Sequence, residues 1–210
     1  MILDIFQTII NYGKLEIQIR CSEINKYMYK NSHIYSLIAK KIVDQQIVEK
    51  RIFNKLKILN CCDNSKIKNV NHLKSTLTIL NCGWNCGIDQ NGISELQYIE
   101  ELCCCNNKKI RNVNHLKSTL TILNCGWKCG IDQNGISELR YIEELCCCNN
   151  KKIKNVDHLR TTLAKLNCGG ICGIDQKGIS KLQCVKELMC ADNSEINNVN
   201  HLKDTLIMLN

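Results

Sequence analysis

Proline is missing altogether from the 210 residues. Polyproline linkers, proline-rich ligand segments and cis-proline turns are therefore excluded. No apolar run approaches the roughly 18 residues that a membrane-spanning helix needs. The opening Met1-Ile2-Leu3-Asp4 lacks the basic segment and small-residue cleavage site of a secretory signal. A cytoplasmic chain is expected, with the nucleus as the other compartment. Glycine-rich phosphate-cradling fingerprints are absent, and no nucleophile–base pair or carboxylate dyad has a suggestive spacing. Neither an enzyme nor a cofactor is expected.

What is present is ordinary in bulk and unusual in one residue. Hydrophobic residues make up 44% and charged residues 23%, which is enough to build a core and argues against long disorder. The formal charge of +8 is spread thinly. Residues 1–55 carry nine Lys/Arg against five Asp/Glu, and residues 56–210 carry nineteen against fifteen. Nucleic-acid domains concentrate basic charge on one face, so no nucleic-acid partner is expected. The 17 cysteines, without a secretory signal, are expected to be mostly free thiols in a reducing compartment.

A repeat decides the architecture. Residues 69–110 and 112–153 match except at Asn85/Lys128 and Gln97/Arg140, and His72, His115, His158 and His201 fall 43 residues apart. The unit divides again. One half reads Leu77-x-x-Leu80-x-Cys82-x-x-Asn85-x-x-Ile88, and the other Ile99-x-x-Leu102-x-Cys104-x-x-Asn107-x-x-Ile110. The frame opens at Leu56, Leu77, Ile99, Leu120, Ile142, Leu163, Val185 and Leu206, in steps of 21 and 22 residues. Positions 1, 4 and 6 are apolar, the pattern of a short strand that buries one face only by stacking on its neighbours.

This spacing resembles that of leucine-rich repeats, and Cys-Gly-Ile-Asp-Gln-x-Gly-Ile at Cys86, Cys129 and Cys172 resembles the cysteine-containing subtype. The resemblance implies an α/β leucine-rich-repeat solenoid over residues 56–210, with a parallel β-sheet on the concave face. Seven full repeats and the start of an eighth fit. It also implies an asparagine ladder at Asn64, Asn85, Asn107, Asn150 and Asn193, broken at Lys128 and Ile171, with the adjacent Cys86, Cys129 and Cys172 expected to take over the turn role. Asn81, Trp84, Glu101, Cys103, Asn124, Trp127, Glu144 and Cys146 become concave-face candidates for holding a protein partner. Lys66, Lys108, Lys109, Lys151 and Lys152 would form a basic stripe, either a solvated rim or a contact for an acidic partner. The asparagine, isoleucine and lysine richness is similar to repeat proteins of large DNA viruses or protists, which would place a viral chain in the host cytoplasm.

Residues 1–50 do not repeat and read as a small helical module. Ile2, Ile5, Phe6, Ile9 and Ile10 keep helical spacing, and His33 to about Phe53 predicts a helix with Ile34, Leu37, Ile38 and Ile42 on its apolar face. Such helices could cap the first coil. Alternatively, Leu3-Asp4-Ile5-Phe6-x-x-Ile9-Ile10-x-Tyr12 and Leu15-x-Ile17-x-Ile19-Arg20-Cys21-Ser22-x-Ile24-Asn25-Lys26-x-Met28-Tyr29 resemble an F-box. It departs from that pattern at the missing Leu-Pro pair and at Gly13. The F-box resemblance implies that Leu3, Phe6 and Ile9 bind a Skp-type linker subunit, and that the chain recruits substrates for a cullin-type ubiquitin ligase. A scaffold or decoy without that linkage is the alternative, and a cysteine-based metal or redox protein a remote one.

Tetrahedral zinc is geometrically awkward here. Cysteine-rich strands would lie two strands apart, roughly 10 Å at parallel-sheet spacing, whereas ligand sulfurs must sit within about 4 Å of one another. The inward Cys61, Cys82, Cys104, Cys125, Cys147, Cys168 and Cys190 instead replace leucine as small buried groups. The four repeating histidines belong on the return segment, too far apart to share a metal. At the far end, Leu206 and Leu209 continue the inward columns with an open sheet edge, from which either self-association or coverage by a partner is expected.

Overall fold

Each coil places an aliphatic side chain at the centre of a three-residue strand, and the strands stack in one register. The computed structural model describes residues 33–39, 41 and 43–210. Its strands are β1 (Ser36–Ile38), β2 (Ile58–Asn60), β3 (Ile79–Asn81), β4 (Glu101–Cys103), β5 (Ile122–Asn124), β6 (Glu144–Cys146), β7 (Lys165–Asn167), β8 (Glu187–Met189) and β9 (Met208–Leu209). All pair in parallel, in sequence order, in one nine-stranded sheet. Leu37, Leu59, Leu80, Leu102, Leu123, Leu145, Leu166 and Leu188 form one continuous column across it. All eight are buried. Burying such a side chain is worth about 1.5–3 kcal/mol, so this column alone is a large share of the fold's stabilisation. Strands alternate their faces, which leaves the flanking positions outward.

The sheet reaches further upstream than the sequence implies. The helix expected over His33 to Phe53 is absent: Ser36–Ile38 is strand β1, and Gln45–Val48 is a single turn, α1, capped by Asp44. Arg51–Phe53 is a 3-10 turn. Ile34, Leu37 and Ala39 point into the same core as the later coils. An Ile34-x-x-Leu37 pattern has helical spacing as well as strand-repeat spacing, and the coil of β1 carries Ala39 where later ones carry cysteine. The F-box-like residues Leu3, Phe6 and Ile9 lie outside the described residues.

Behind each strand the chain returns through a short turn, 3-10 in most coils and a single α-helical turn at α2 (Gln133–Ile136). Glutamine and histidine stitch these returns together. Gln90 accepts from the Arg111 and Asn112 amides and donates to the Asn112 carbonyl, and Gln45, Gln133 and Gln176 do the same in their own coils. His115 Nε2 meets the Ile93 carbonyl at 3.1 Å, and His72, His158 and His201 repeat that contact. The histidines do lie on the return segment. The glutamine clasp was hidden in the sequence because no hydrophobic pattern marks it.

The loop after each strand carries the ladder, in a form the sequence only half reveals. Asn107 is buried; its Nδ2 donates to the Cys82 and Ile88 carbonyls at 2.9 and 3.1 Å, and its Oδ1 accepts from the Lys109 amide at 3.0 Å. Asn64, Asn150 and Asn193 make the same three bonds. Asn85, expected in this ladder, is outside it: exposed, it donates to Asp63 at 3.2 Å. Cys86 takes the buried rung, and the rungs alternate Asn64, Cys86, Asn107, Cys129, Asn150, Cys172, Asn193. The extra residue ahead of each cysteine rung (Asn85, Lys128 or Ile171) produces the 22-residue step.

Candidate functional site

Two faces of the solenoid expose the candidate partner-binding residues. On the sheet, the outward side chain of each strand's last residue runs Asn60, Asn81, Cys103, Asn124, Cys146, Asn167, Met189 in register. Beside it the first strand residues run Ile79, Glu101, Ile122, Glu144, Lys165, Glu187. Asn81, Glu101, Cys103 and Asn124 share one shallow groove of about 300 Å³, and Asn124, Glu144 and Cys146 share a second of about 220 Å³. Lys165 Nζ lies between Glu144 and Glu187, 3.3 and 3.5 Å from their carboxylates, and Glu144 followed by Glu187 raises its pKa.

Trp84 and Trp127 stand apart from that face, on the loop that follows the strand. They are 49% and 52% exposed. Their backbones are left-handed, with φ of 58° and 61°. In the other coils from β2 to β8 the corresponding residue is Asp63, Asn106, Asn149, Gly170 or Asp192, all with positive φ. Aspartate, asparagine and glycine tolerate this region, whereas for other L-residues it costs roughly 1–2 kcal/mol. The amide of each tryptophan donates to the next coil, Trp84 to the Cys105 carbonyl at 2.7 Å and Trp127 to that of Cys148 at 2.6 Å. The ladder of coils therefore enforces the conformation. A bulky aromatic in such a position is an outlier that points to a use.

Lysines surround this ledge. A groove of about 670 Å³ lies between Trp84 and Trp127, and another of about 600 Å³ between Trp127 and Ile171. Lys108, Lys128 and Trp127 line both. Lys151 and Lys152 line the second, Lys109 the first, and neither groove has an acidic lining residue. The expected stripe is thus divided in its roles. Lys109 donates to the Cys86 and Gly87 carbonyls, and Lys152 to those of Cys129 and Gly130. Lys108 and Lys151 are exposed beside the tryptophans.

The cysteines are all free thiols among the described residues. Cys61, Cys82, Cys104, Cys125, Cys147 and Cys168 are buried as expected, and Cys190 is half-buried. Each cysteine rung also meets an inward cysteine: Cys61–Cys86 and Cys104–Cys129 at 3.7 Å, Cys147–Cys172 at 3.8 Å between sulfurs. The hydrogen bond with Cys147, and after it those with the Ile174 and Gly173 backbone, draw the Cys172 thiol down to about 7 against the opposing effect of burial. The same arrangement lowers Cys86 and Cys129, and it raises Cys61, Cys104 and Cys147. On the sheet face Cys103 and Cys105 sulfurs are 3.6 Å apart, as are those of Cys146 and Cys148. Burial pushes Cys105 and Cys146 up to about 12, unlike the lowered pKa of a reactive thiol. Among the described residues no three histidine, cysteine or acidic side chains converge to hold a metal ion.

A parallel sheet built from in-register leucines, with cysteine in its inward column, defines a leucine-rich-repeat solenoid. No protein-family model matches the chain. No curated protein matches it either. Among solved structures, the functional domain of InlJ from Listeria monocytogenes, described as including a cysteine ladder, is similar at a TM-score of 0.50 and 18% identity. That likeness covers 86% of this chain and 54% of the InlJ structure, so the chain spans about half the length of that neighbour, and it concerns the fold alone. No helix among the described residues is long and apolar enough to cross a membrane.

Proposed function

We propose that the solenoid is a non-catalytic module that binds another protein through its outward sheet face and the adjoining tryptophan ledge. One observation carries this reading. The four repeating histidines and the inward thiols are tied into contacts within the core or between coils, while Trp84 and Trp127 stand exposed beside grooves. Stacked repeats present extended surfaces of this kind to partners. Affinity capture with the full chain, and with Glu101→Lys combined with Glu144→Lys, tests it. The expected result is a partner that the parent retains and the variant loses, with the variant's circular dichroism unchanged. A partner retained equally by both moves binding off the sheet face.

A finer role as a ubiquitin-ligase adaptor rests on the F-box-like pattern of residues 1–35. In that role Leu3, Phe6 and Ile9 hold a Skp-type linker subunit while the solenoid holds the substrate. Purified linker at micromolar concentration should bind the full chain and not a Leu3→Asp, Phe6→Asp, Ile9→Asp variant. Absence of binding to the parent leaves a scaffold or decoy without ligase linkage.

A further inference from the structure

The left-handed tryptophans, the two grooves and the ring of lysines converge on a ligand chemistry. From them we infer that the ledge binds an extended acidic peptide segment, with one apolar side chain in each groove and its carboxylates beside Lys108, Lys128 and Lys151. This inference rests on the protein-binding reading and names the partner's chemistry.

Trp127 is the wall shared by both grooves, with Trp84 closing one and Ile171 the other. The grooves repeat every two coils, a rise of roughly 10 Å at a strand spacing of about 4.8 Å. An extended peptide covers about 3.3–3.6 Å per residue. Two apolar side chains three residues apart therefore match the pitch, and the residues between them pass over Trp127 flanked by Lys108 and Lys128. The tryptophans offer broad apolar surface with few rotatable bonds. The lysines supply attraction and orientation rather than most of the affinity.

A single-stranded nucleic acid also combines stacking with positive charge. The structure favours peptide for two reasons. The basic stretch is short, bounded in the same loop column by Asp63 on one side and Asp192 on the other. The neighbouring sheet face carries Glu101, Glu144 and Glu187, which repel any anion beyond the ledge; a peptide can confine its acids to a short segment, whereas a nucleic acid carries a charge at every unit.

The chain has two tryptophans, and both are on this ledge, so tryptophan emission, excited to the red of the tyrosine band, reports on it alone. The probe is a synthetic twelve-residue peptide in which two leucines three residues apart are set among glutamates and aspartates. Added to the full chain at low ionic strength, it should shift tryptophan emission saturably in the micromolar range. Raising sodium chloride to about 0.5 M should weaken binding, because exposed charges are screened within a few ångströms. Trp127→Asn should weaken it at least ten-fold and leave the fold intact, since asparagine serves the same turn at Asn106 and Asn149. Lys108→Glu with Lys128→Glu should weaken it likewise. The inference is overturned if the peptide gives no saturable shift, if these variants bind as the parent does, or if a peptide with lysine in place of the acids or an oligouridylate binds equally well. Should the peptide fail while captured partner remains sensitive to Glu101→Lys and Glu144→Lys, the protein-binding reading stands and the ledge inference alone falls.

Discussion

Replacing Asn107 with alanine should be among the most damaging single changes in the array, whereas the same change at Asn85 should pass almost unnoticed. The two residues occupy the same place in the sequence frame, so the contrast isolates what the structure adds. Asn107 is 1% exposed and forms three hydrogen bonds with backbone, all between 2.9 and 3.1 Å. Alanine removes all three and leaves the Cys82 and Ile88 carbonyls and the Lys109 amide without that side chain. At about 1 kcal/mol for each bond, with desolvation penalties added for groups water cannot reach, the loss is about 3–5 kcal/mol. Asn85 makes one exposed bond, to Asp63, and its removal should change stability by less than about 0.5 kcal/mol. Urea titrations followed by circular dichroism on parent and both variants would measure the difference. Hydrogen exchange at the Lys109 amide supplies a local readout, and it should accelerate only in Asn107→Ala. Equal midpoints for the two variants would refute the alternating ladder.

Three further outcomes are expected. In alkylation of native protein followed by mass spectrometry, half-exposed Cys103, Cys105, Cys146 and Cys148 should label ahead of buried Cys82, Cys104, Cys125 and Cys147, which should react only after denaturation; early labelling of the buried set would displace the inward column. Desolvation lowers the pKa of His72, His115 and His158 in the fold, so the unfolded chain binds more protons as pH falls through about 6.5 and the solenoid should lose stability below it. Denaturation midpoints that stay flat between about pH 7.5 and 5.5 would contradict this. Gly135→Ala should cost several kcal/mol by thermal melting, because an added Cβ would stand 2.1 Å from the Arg111 carbonyl oxygen, and backbone cannot retreat as a side chain can.

The inward columns were legible because their signal is periodic and apolar: Leu80, Leu102, Leu123 and Leu145 recur at fixed steps, and burial explains why. Polar rungs were less so. Asn85 and Asn107 look equivalent in the frame; the cysteines after the breaks were legible as turn residues, but only the path of the loop shows that Cys86 replaces Asn85 as well. The coil of β1 was missed because Ile34, Leu37 and Ile38 satisfy helical spacing and strand-repeat spacing together, and Ala39 supplies no cysteine to break the tie. Among the candidate binding residues, Asn81, Glu101, Cys103, Asn124, Glu144 and Cys146 fall on the sheet face, where strand alternation puts them. Trp84 and Trp127 fall on a separate ledge, and nothing in their sequence context announces a left-handed backbone.

Alternation of the coils also limits how this molecule can grow. A Cβ built on Gly83 would lie 3.1 Å from the Cys105 sulfur, and one on Gly126 equally close to that of Cys148. Each of these two sulfurs thus occupies space that only a glycine neighbour leaves open, just as Asn107 and Asn150 each sit between two cysteine rungs. Loss or gain of a single coil would bring like against like, sulfur against sulfur on one face and asparagine against asparagine in the interior. Loss or gain of two coils restores the alternation of these rungs. The solenoid's length is in this sense quantised, and the natural step of insertion, deletion or unequal recombination is the 43-residue pair.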